Sequence, residues 1–232
     1  MFGDFMKTVL VTGSAKGLGK ALILEFANKG YNTIITYNNS IDDALILKEE
    51  VLKHNVYCEV LKLDLKDEQN IKDIFNKKID IIVNNAVINH DDEILNKTKD
   101  DFMEVLEVNL VGTFLMCKEA IKSGVKDIIN ISSTDSIDTY NSLNIDYSSS
   151  KAGLNIVTKT IASTFPEVRV IGILPVFIDT ESVLEMDPVY LENELKRTKQ
   201  SKLLKKEEVA KKIYNIYNDN NIESGSLIRI EE

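Results

Sequence analysis

Short runs of β-branched and aliphatic residues alternate with longer stretches of 3.6-residue period from Lys7 to Ile230, and this alternation constrains the chain more than any single motif. Residues 7–12 (KTVLVT), 32–37 (NTIITY), 56–63, 80–84 (DIIVN), 126–131 (KDIINI), 168–174 (VRVIGIL) and 225–230 (GSLIRI) read as strands that are apolar on both faces. Between them, 17–29, 40–54, 68–77, 98–122, 146–164 and 206–218 read as helices, with a bend expected near Gly112 and two short helices across 181–200. A strand without a polar face must be covered on both sides, and parallel neighbours need crossovers of about the length seen here.

The pattern therefore predicts an α/β chain forming a single doubly wound (Rossmann-type) domain over residues 1–232, with a seven-stranded parallel sheet and helices on both faces. At 232 residues with 44% hydrophobic and 28% charged, the chain can fill one sizeable core, and collagen-like, disordered and disulfide-scaffold classes are excluded. Lys+Arg 28 against Asp+Glu 37 leaves a net charge of −9, which repels phosphate backbones. No basic cluster with interleaved aromatics offsets this, so no nucleic-acid partner is expected. No apolar run reaches the ~18 residues of a membrane span, and the start Met1–Lys7 lacks the pattern of a signal peptide. Cys58 and Cys117 read as separate buried thiols without metal-ligand spacing, and there are only two histidines, so no metal is expected and a cytoplasmic location fits.

In open parallel sheets ligands bind beyond the carboxyl ends of the strands, so the chemistry should follow residues 12, 37, 63, 84, 131 and 174. After the first strand comes Thr12-Gly13-Ser14-Ala15-Lys16-Gly17-Leu18-Gly19. Its glycines allow a tight turn and close approach to a pyrophosphate, and the helix that follows points amide N–H groups at that anion. The second strand ends at Thr36-Tyr37-Asn38-Asn39-Ser40, without the acid that would bind the ribose hydroxyls of NAD; Asp42 and Asp43 fall in the first turn of the next helix. Lys16 could meet a 2′-phosphate, with Asn38, Asn39 and Ser40 as further donors, or be a solvated surface lysine. Asp64 could accept from an adenine amino group or cap the following helix. Asn84-Asn85-Ala86 offers small and amide side chains close to a nucleotide. Tyr147 and Lys151, four apart, share one helical face. An ammonium there would stabilise the phenolate and lower the pKa of Tyr147.

These motifs, taken in order with Asn109, Asn130-Ile131-Ser132-Ser133 and Pro175-Val176-Phe177-Ile178-Asp179-Thr180, resemble the short-chain dehydrogenase/reductase family over nearly the whole chain. Within that family the chain looks like the 3-oxoacyl-acyl-carrier-protein reductases and their relatives. The resemblance implies hydride transfer from NADP(H) to the carbonyl of a small-molecule or acyl-thioester substrate. Tyr147 would be the proton donor, and Lys151 its pKa-lowering partner and a ribose ligand. Ser133 would hold the carbonyl oxygen, and Asn109 would hold a water linking Lys151 to solvent. The cofactor contacts implied are Gly13, Ser14, Lys16, Gly17, Leu18, Gly19, Asn38, Asp64, Leu65, Asn84, Ala86, Tyr147, Lys151, Ile178 and Thr180. A homodimer or homotetramer through the helix carrying Tyr147 and the one before it is also implied, as is a substrate lid over 181–200.

The chain departs from the family in having Val87 and Val176 where glycine is usual, costly if either position needs positive φ. The Ser133-to-Tyr147 gap is one residue longer than in many members, leaving Ser133 or Thr134 as the hydroxyl. A catalytically silent NADP(H)-binding sensor or scaffold is the rival reading.

Overall fold

The computed structural model describes residues 6–232; Met1–Phe5, and with them most of the N-terminal segment considered above, lie outside the described residues. The chain order is β1 (Thr8–Val11), α1 (Gly17–Asn28), β2 (Asn32–Tyr37), α2 (Ile41–Leu52), β3 (Cys58–Lys62), α3 (Glu68–Ile74), β4 (Ile81–Asn84), α4 (Lys99–Leu106), α5 (Thr113–Lys122), β5 (Asp127–Ile131), α6 (Ile145–Thr164), β6 (Arg169–Pro175), α7 (Glu181–Leu184), α8 (Pro188–Arg197), α9 (Lys206–Asn218) and β7 (Leu227–Ile230). The strands form one parallel sheet in the order β3-β2-β1-β4-β5-β6-β7.

Two buried clusters explain why the strands are apolar throughout. Val9, Val11, Ile81, Val83, Ile129, Ile131, Ile171 and Ile173 face one cluster, which Leu22, Phe26, Leu47, Val209 and Ile213 complete from α1, α2 and α9. Their neighbours Leu10, Ile82, Ile128 and Val170 face the other, completed by Ile71, Ile74, Met116 and Ile161 from α3, α5 and α6. Side chains alternate across a strand, so each strand supplies both layers.

The bend expected near Gly112 is a π-helical turn, Glu107–Gly112, that joins α4 to α5. Gly112 is required there because a Cβ would lie 2.6 Å from the Leu65 carbonyl oxygen. A capping box between Thr98 and Asp101 starts α4. The cap of α3 is Asp67, which accepts from the N–H groups of Gln69 and Asn70. Asp64, the alternative considered from sequence, instead closes a turn by accepting from Lys66 N–H at 2.9 Å.

The path runs outward from β1 to β3 and then returns to β4 beside β1. Connections on either side of that junction leave in opposite directions and open a crevice at the carboxyl ends. Neither Val87 nor Val176 has positive φ; among the described residues only Asn55 and Lys199 do so without being glycine. The two valines are thus accommodated without backbone strain.

Candidate active site

A cleft of about 780 Å³ opens at the switch point and receives residues from the ends of six strands, among them Gly13, Asn38, Asp64, Ala86, Ser133 and Phe177. The glycine loop forms one end. Gly13 and Gly17 have φ of +60° and +56°, which L side chains rarely adopt. At Gly13 a Cβ would lie 2.9 Å from Ala86, and at Gly19 one would lie 2.7 Å from Asn85 Nδ2 and from the Gly13 carbonyl oxygen. The loop is laced to β4 by Thr12 Oγ1, which accepts from the N–H groups of Asn85 and Ala86 at 2.9 Å each.

Helix α1 begins at Gly17 with no side-chain cap and no acid in its first turn, so its N–H groups face the cleft. The Glu181 carboxylate comes to this terminus, with Oε2 3.6 Å from where a Gly17 Cβ would be. Burial opposes its charge, yet hydrogen bonds from its own N–H, from Lys206 and from Gly17 N–H hold the carboxyl below its ordinary range. A carboxylate therefore already approaches the N-terminus of α1, the kind of place at which anions bind. A donor-rich turn, a cradle that any Cβ would fill and a carboxylate standing in for phosphate all fit a dinucleotide.

Lys16 Nζ pairs with Asp43 Oδ2 at 3.0 Å, both side chains well exposed at the cleft mouth beside Asn38 and Asn39. Lys16 is thus neither free nor simply solvated: Asp43, in the first turn of α2, competes for it.

At the other end stand Ser133, Tyr147 and Lys151. Ser133 follows β5, and Tyr147 and Lys151 lie one turn apart near the start of α6. Lys151 Nζ donates to the Ile131 carbonyl oxygen at 2.7 Å and lies 5.6 Å from the centre of the Tyr147 ring. Burial holds the Tyr147 phenol above its ordinary pKa, the charge of Asp135 pushes the same way, and a hydrogen bond with Ser133 opposes both. The same burial lowers Lys151 to about 7. The expected depression of Tyr147 by Lys151 is therefore reversed in direction, because desolvation penalises phenolate and ammonium together. Ser133 and Thr134 both line the cleft beside Tyr147, so the two candidate hydroxyls stand side by side.

The cleft wall includes Gly13, Lys16, Gly17, Leu18, Asn38, Asp64, Leu65, Ala86, Ser133, Tyr147, Lys151, Ile178 and Thr180. Four other expected residues stand behind it. Ser14 is buried and accepts from Thr36 N–H at 2.9 Å, fastening the glycine loop to β2. Gly19 is covered by Asn85 and Gly13. Asn84 donates to Asn130 Oδ1 at 2.8 Å and ties β4 to β5. Asn109, on the π-helical turn, accepts from Ile88 N–H at 2.9 Å and donates to Ile88 O at 2.8 Å and to Ser150 Oγ at 3.3 Å. Its side chain is thus held by Ile88 and Ser150 behind the cleft wall, which fixes the π-helical turn against the loop after β4.

Other features were not foreseen. A buried ion pair, Lys97 Nζ to Asp146 Oδ2 at 2.7 Å, with a further bond from Lys97 to the His90 carbonyl, locks the loop after β4 against the start of α6. His90 pairs with Glu104 at 2.9 Å and is absent from the cleft wall. Cys58 and Cys117, by contrast, are free and buried as the sequence predicts, and burial pushes the Cys117 thiol up to about 12. Asp135, Asn144, Glu181 and Met186 line the cleft. The first two lie two residues after Ser133 and three before Tyr147, which was the available signal.

Residues 7–188 match the short chain dehydrogenase family. The 3-oxoacyl-[acyl-carrier-protein] reductase of Aquifex aeolicus is 35% identical over 187 residues, covering 75% of each chain. Glucose 1-dehydrogenase 2 of Bacillus subtilis is 30% identical over 190 residues, covering 76% of this chain and 73% of its own. A dehydrogenase/reductase from Sinorhizobium meliloti superposes with a TM-score of 0.90 at 24% identity, covering 98% of this chain and 94% of the other. Among the described residues no helix is long and apolar enough to cross a membrane.

Proposed function

The chain belongs to the short chain dehydrogenase family, and on that premise we propose that it is an NADPH-dependent carbonyl reductase, similar to the 3-oxoacyl-acyl-carrier-protein reductases. The observation that carries the reading is the convergence of Ser133, Tyr147 and Lys151 on one wall of the cleft that also contains the glycine cradle. The dinucleotide, when bound, supplies hydride to the carbonyl carbon and is itself oxidised. Tyr147 gives its phenolic proton to the carbonyl oxygen; its raised pKa keeps that proton in place at neutral pH. Ser133 donates to the same oxygen as negative charge develops there. Lys151, near half-protonated at pH 7, is the adjacent acid that restores the Tyr147 proton. Gly13, Gly17 and Leu18 hold the pyrophosphate, Ile178 and Thr180 the nicotinamide end, and Lys16 with Asn38 a 2′-phosphate. The segment 181–200 covers the substrate, with α7 on the cleft side.

The silent-binder alternative was motivated by Val87 and Val176, and the unstrained backbone at both positions supports the enzyme reading over it. Exposed Val111, Phe114 and Ile156, on the π-helical turn, α5 and α6, support assembly into a homodimer or homotetramer through these helices. The test is NADPH oxidation, followed at the nicotinamide absorbance band, across ketones, hydroxy ketones, sugars and 3-oxoacyl thioesters. Turnover of at least one is expected. Tight NADPH binding with no turnover of any would establish the silent binder.

A further inference from the structure

We propose that Asp135 and Asn144 form a polar subsite for a hydrogen-bond-donating substituent, hydroxyl or ammonium, next to the carbonyl that the substrate presents to Tyr147. This rests on the reductase reading and deepens it: the preferred substrates are hydroxy or amino ketones rather than plain acyl chains.

Asp135 lies on the short turn Thr134–Ser136 that follows Ser133, with a side chain 8% exposed and on the cleft wall. Its protein contacts fall on one oxygen. Oδ1 accepts from Thr139 Oγ1 at 2.6 Å and from Arg197 Nη1 and Nη2 at 3.4 and 3.3 Å. Oδ2 accepts no hydrogen bond from the described residues. Arg197 sits closer to Glu194, whose Oε2 takes its Nη2 at 2.6 Å and its Nε at 2.9 Å. Two carboxylates thus share one guanidinium, and a unit of negative charge is left over. Asp135 and Tyr147 line the same cleft, and the turn carrying Asp135 directly follows Ser133.

Asn144 supplies an independent observation. It immediately precedes α6, one turn before Tyr147, is 7% exposed and lines the same cleft. It makes no side-chain cap bond, and its Oδ1 is buried without a donor. The two side chains lie on the same cleft wall, and a bound donor would meet Asp135 Oδ2 directly and satisfy Asn144 Oδ1 once that amide turns outward. The wall also carries the apolar side chains Val87, Ile88, Phe177, Val183 and Met186, which suit the carbon body of the substrate. An alkyl group laid against Asp135 would strip water from the carboxylate and return nothing. Sites built to bond a polar group reject analogues lacking it more strongly than apolar pockets reject an extra methylene.

Hydroxyacetone, aminoacetone and butanone are nearly equal in size and differ at the group beside the carbonyl. We expect kcat/KM with NADPH to favour the first two over butanone by roughly tenfold or more. Asp135→Asn keeps an acceptor toward Thr139 and Arg197 and replaces the free oxygen with an amide donor, so the preference should fall about tenfold. Asn144→Leu loses no hydrogen bond present in the fold and should lower the same ratio. Because Asp135 also acts on Tyr147, the ratio between ketones is the readout, since a change in the proton donor slows all three alike. An aminoacetone advantage that shrinks with salt identifies the ammonium as the favoured donor; a salt-independent hydroxyacetone preference identifies the hydroxyl. Equal turnover of butanone by the parent, or an unchanged ratio in both variants, overturns the subsite. If the parent binds NADPH and reduces none of the three, the reductase reading loses support. Saturation-transfer NMR on the NADPH-bound protein then judges the subsite alone: donor-bearing ketones should give signals that Asp135→Asn removes, and equal signals from all three refute it.

Discussion

Lys151→Met should make this protein more stable while abolishing its turnover. Lys151 is 3% exposed, and burial lowers its pKa from an ordinary 10.5 to about 7. In the unfolded chain the ammonium is fully protonated at neutral pH, so the fold must either bury the charge or give up the proton. At ~1.4 kcal/mol for each tenfold in protonation, this costs ~4 kcal/mol at pH 7. The folded pKa is the depressed one, so the unfolded chain binds more protons between about pH 7 and 10.5. Over that window the stability of the parent rises with pH; below it the penalty is constant, and above it the penalty is gone. Methionine fills nearly the same space without the charge but forfeits the bond to the Ile131 carbonyl oxygen, a loss of ~1–3 kcal/mol. The expected net gain at pH 7 is ~1–3 kcal/mol, or several degrees in Tm, shrinking toward zero or below near pH 10. Urea denaturation followed by circular dichroism at pH 6, 7, 8 and 9 measures it. A variant no more stable than the parent at pH 7, or a difference that stays constant with pH, would refute the reasoning.

Other substitutions probe the remaining parts of the cleft. Tyr147→Phe keeps the ring and removes only the acid, so carbonyl reduction should slow ~10²–10⁴-fold with NADPH affinity nearly unchanged by fluorescence titration; full turnover would show that another group donates the proton. Lys16→Ala should weaken NADPH and spare NADH, whereas Asp43→Asn, by releasing Lys16 from its exposed ion pair, should tighten NADPH by about two- to fivefold. Parallel loss of both cofactors in Lys16→Ala would mean that Lys16 does not read the phosphate. Gly19→Ala places a methyl 2.7 Å from a backbone oxygen and from Asn85, so it should cost ~1–3 kcal/mol in denaturation and loosen either cofactor; wild-type stability would show that the loop can yield.

The strands were legible because each is apolar on both faces, a pattern that Val9, Leu10 and Val11 already display when they feed two clusters in alternation. The turn at Gly112 was legible as a break and illegible as a π turn, and the need for glycine there comes from its closeness to the Leu65 carbonyl, far away in sequence. Within the site, motif order located the wall but did not separate residues that line the cleft from those that stand behind it. Ser14, Asn84 and Asn109 are small or amide residues of the same kind as their neighbours, and only tertiary partners turn them inward. Asp135 was passed over because its charge acquires meaning from Arg197, 62 positions later. The direction of the Tyr147 pKa was misjudged for a related reason: spacing reveals proximity to Lys151, but burial, the larger effect, is a property of the whole fold.

Glu181 gives cofactor entry an unusual kinetic character. Because its carboxylate approaches the start of α1 and is steadied by Lys206 Nζ at 3.2 Å, dinucleotide binding in the proposed reductase would be a ligand exchange in which one anion leaves as another arrives. The glycine loop can then hold its shape between turnovers, since its dipoles are never left bare, and little ordering remains to be done on association. The same arrangement sets a ceiling. As cofactor concentration rises, the observed association rate should level off at the rate at which the tether to Lys206 opens. Loss of the carboxylate in Glu181→Gln should lift that plateau and restore a linear dependence.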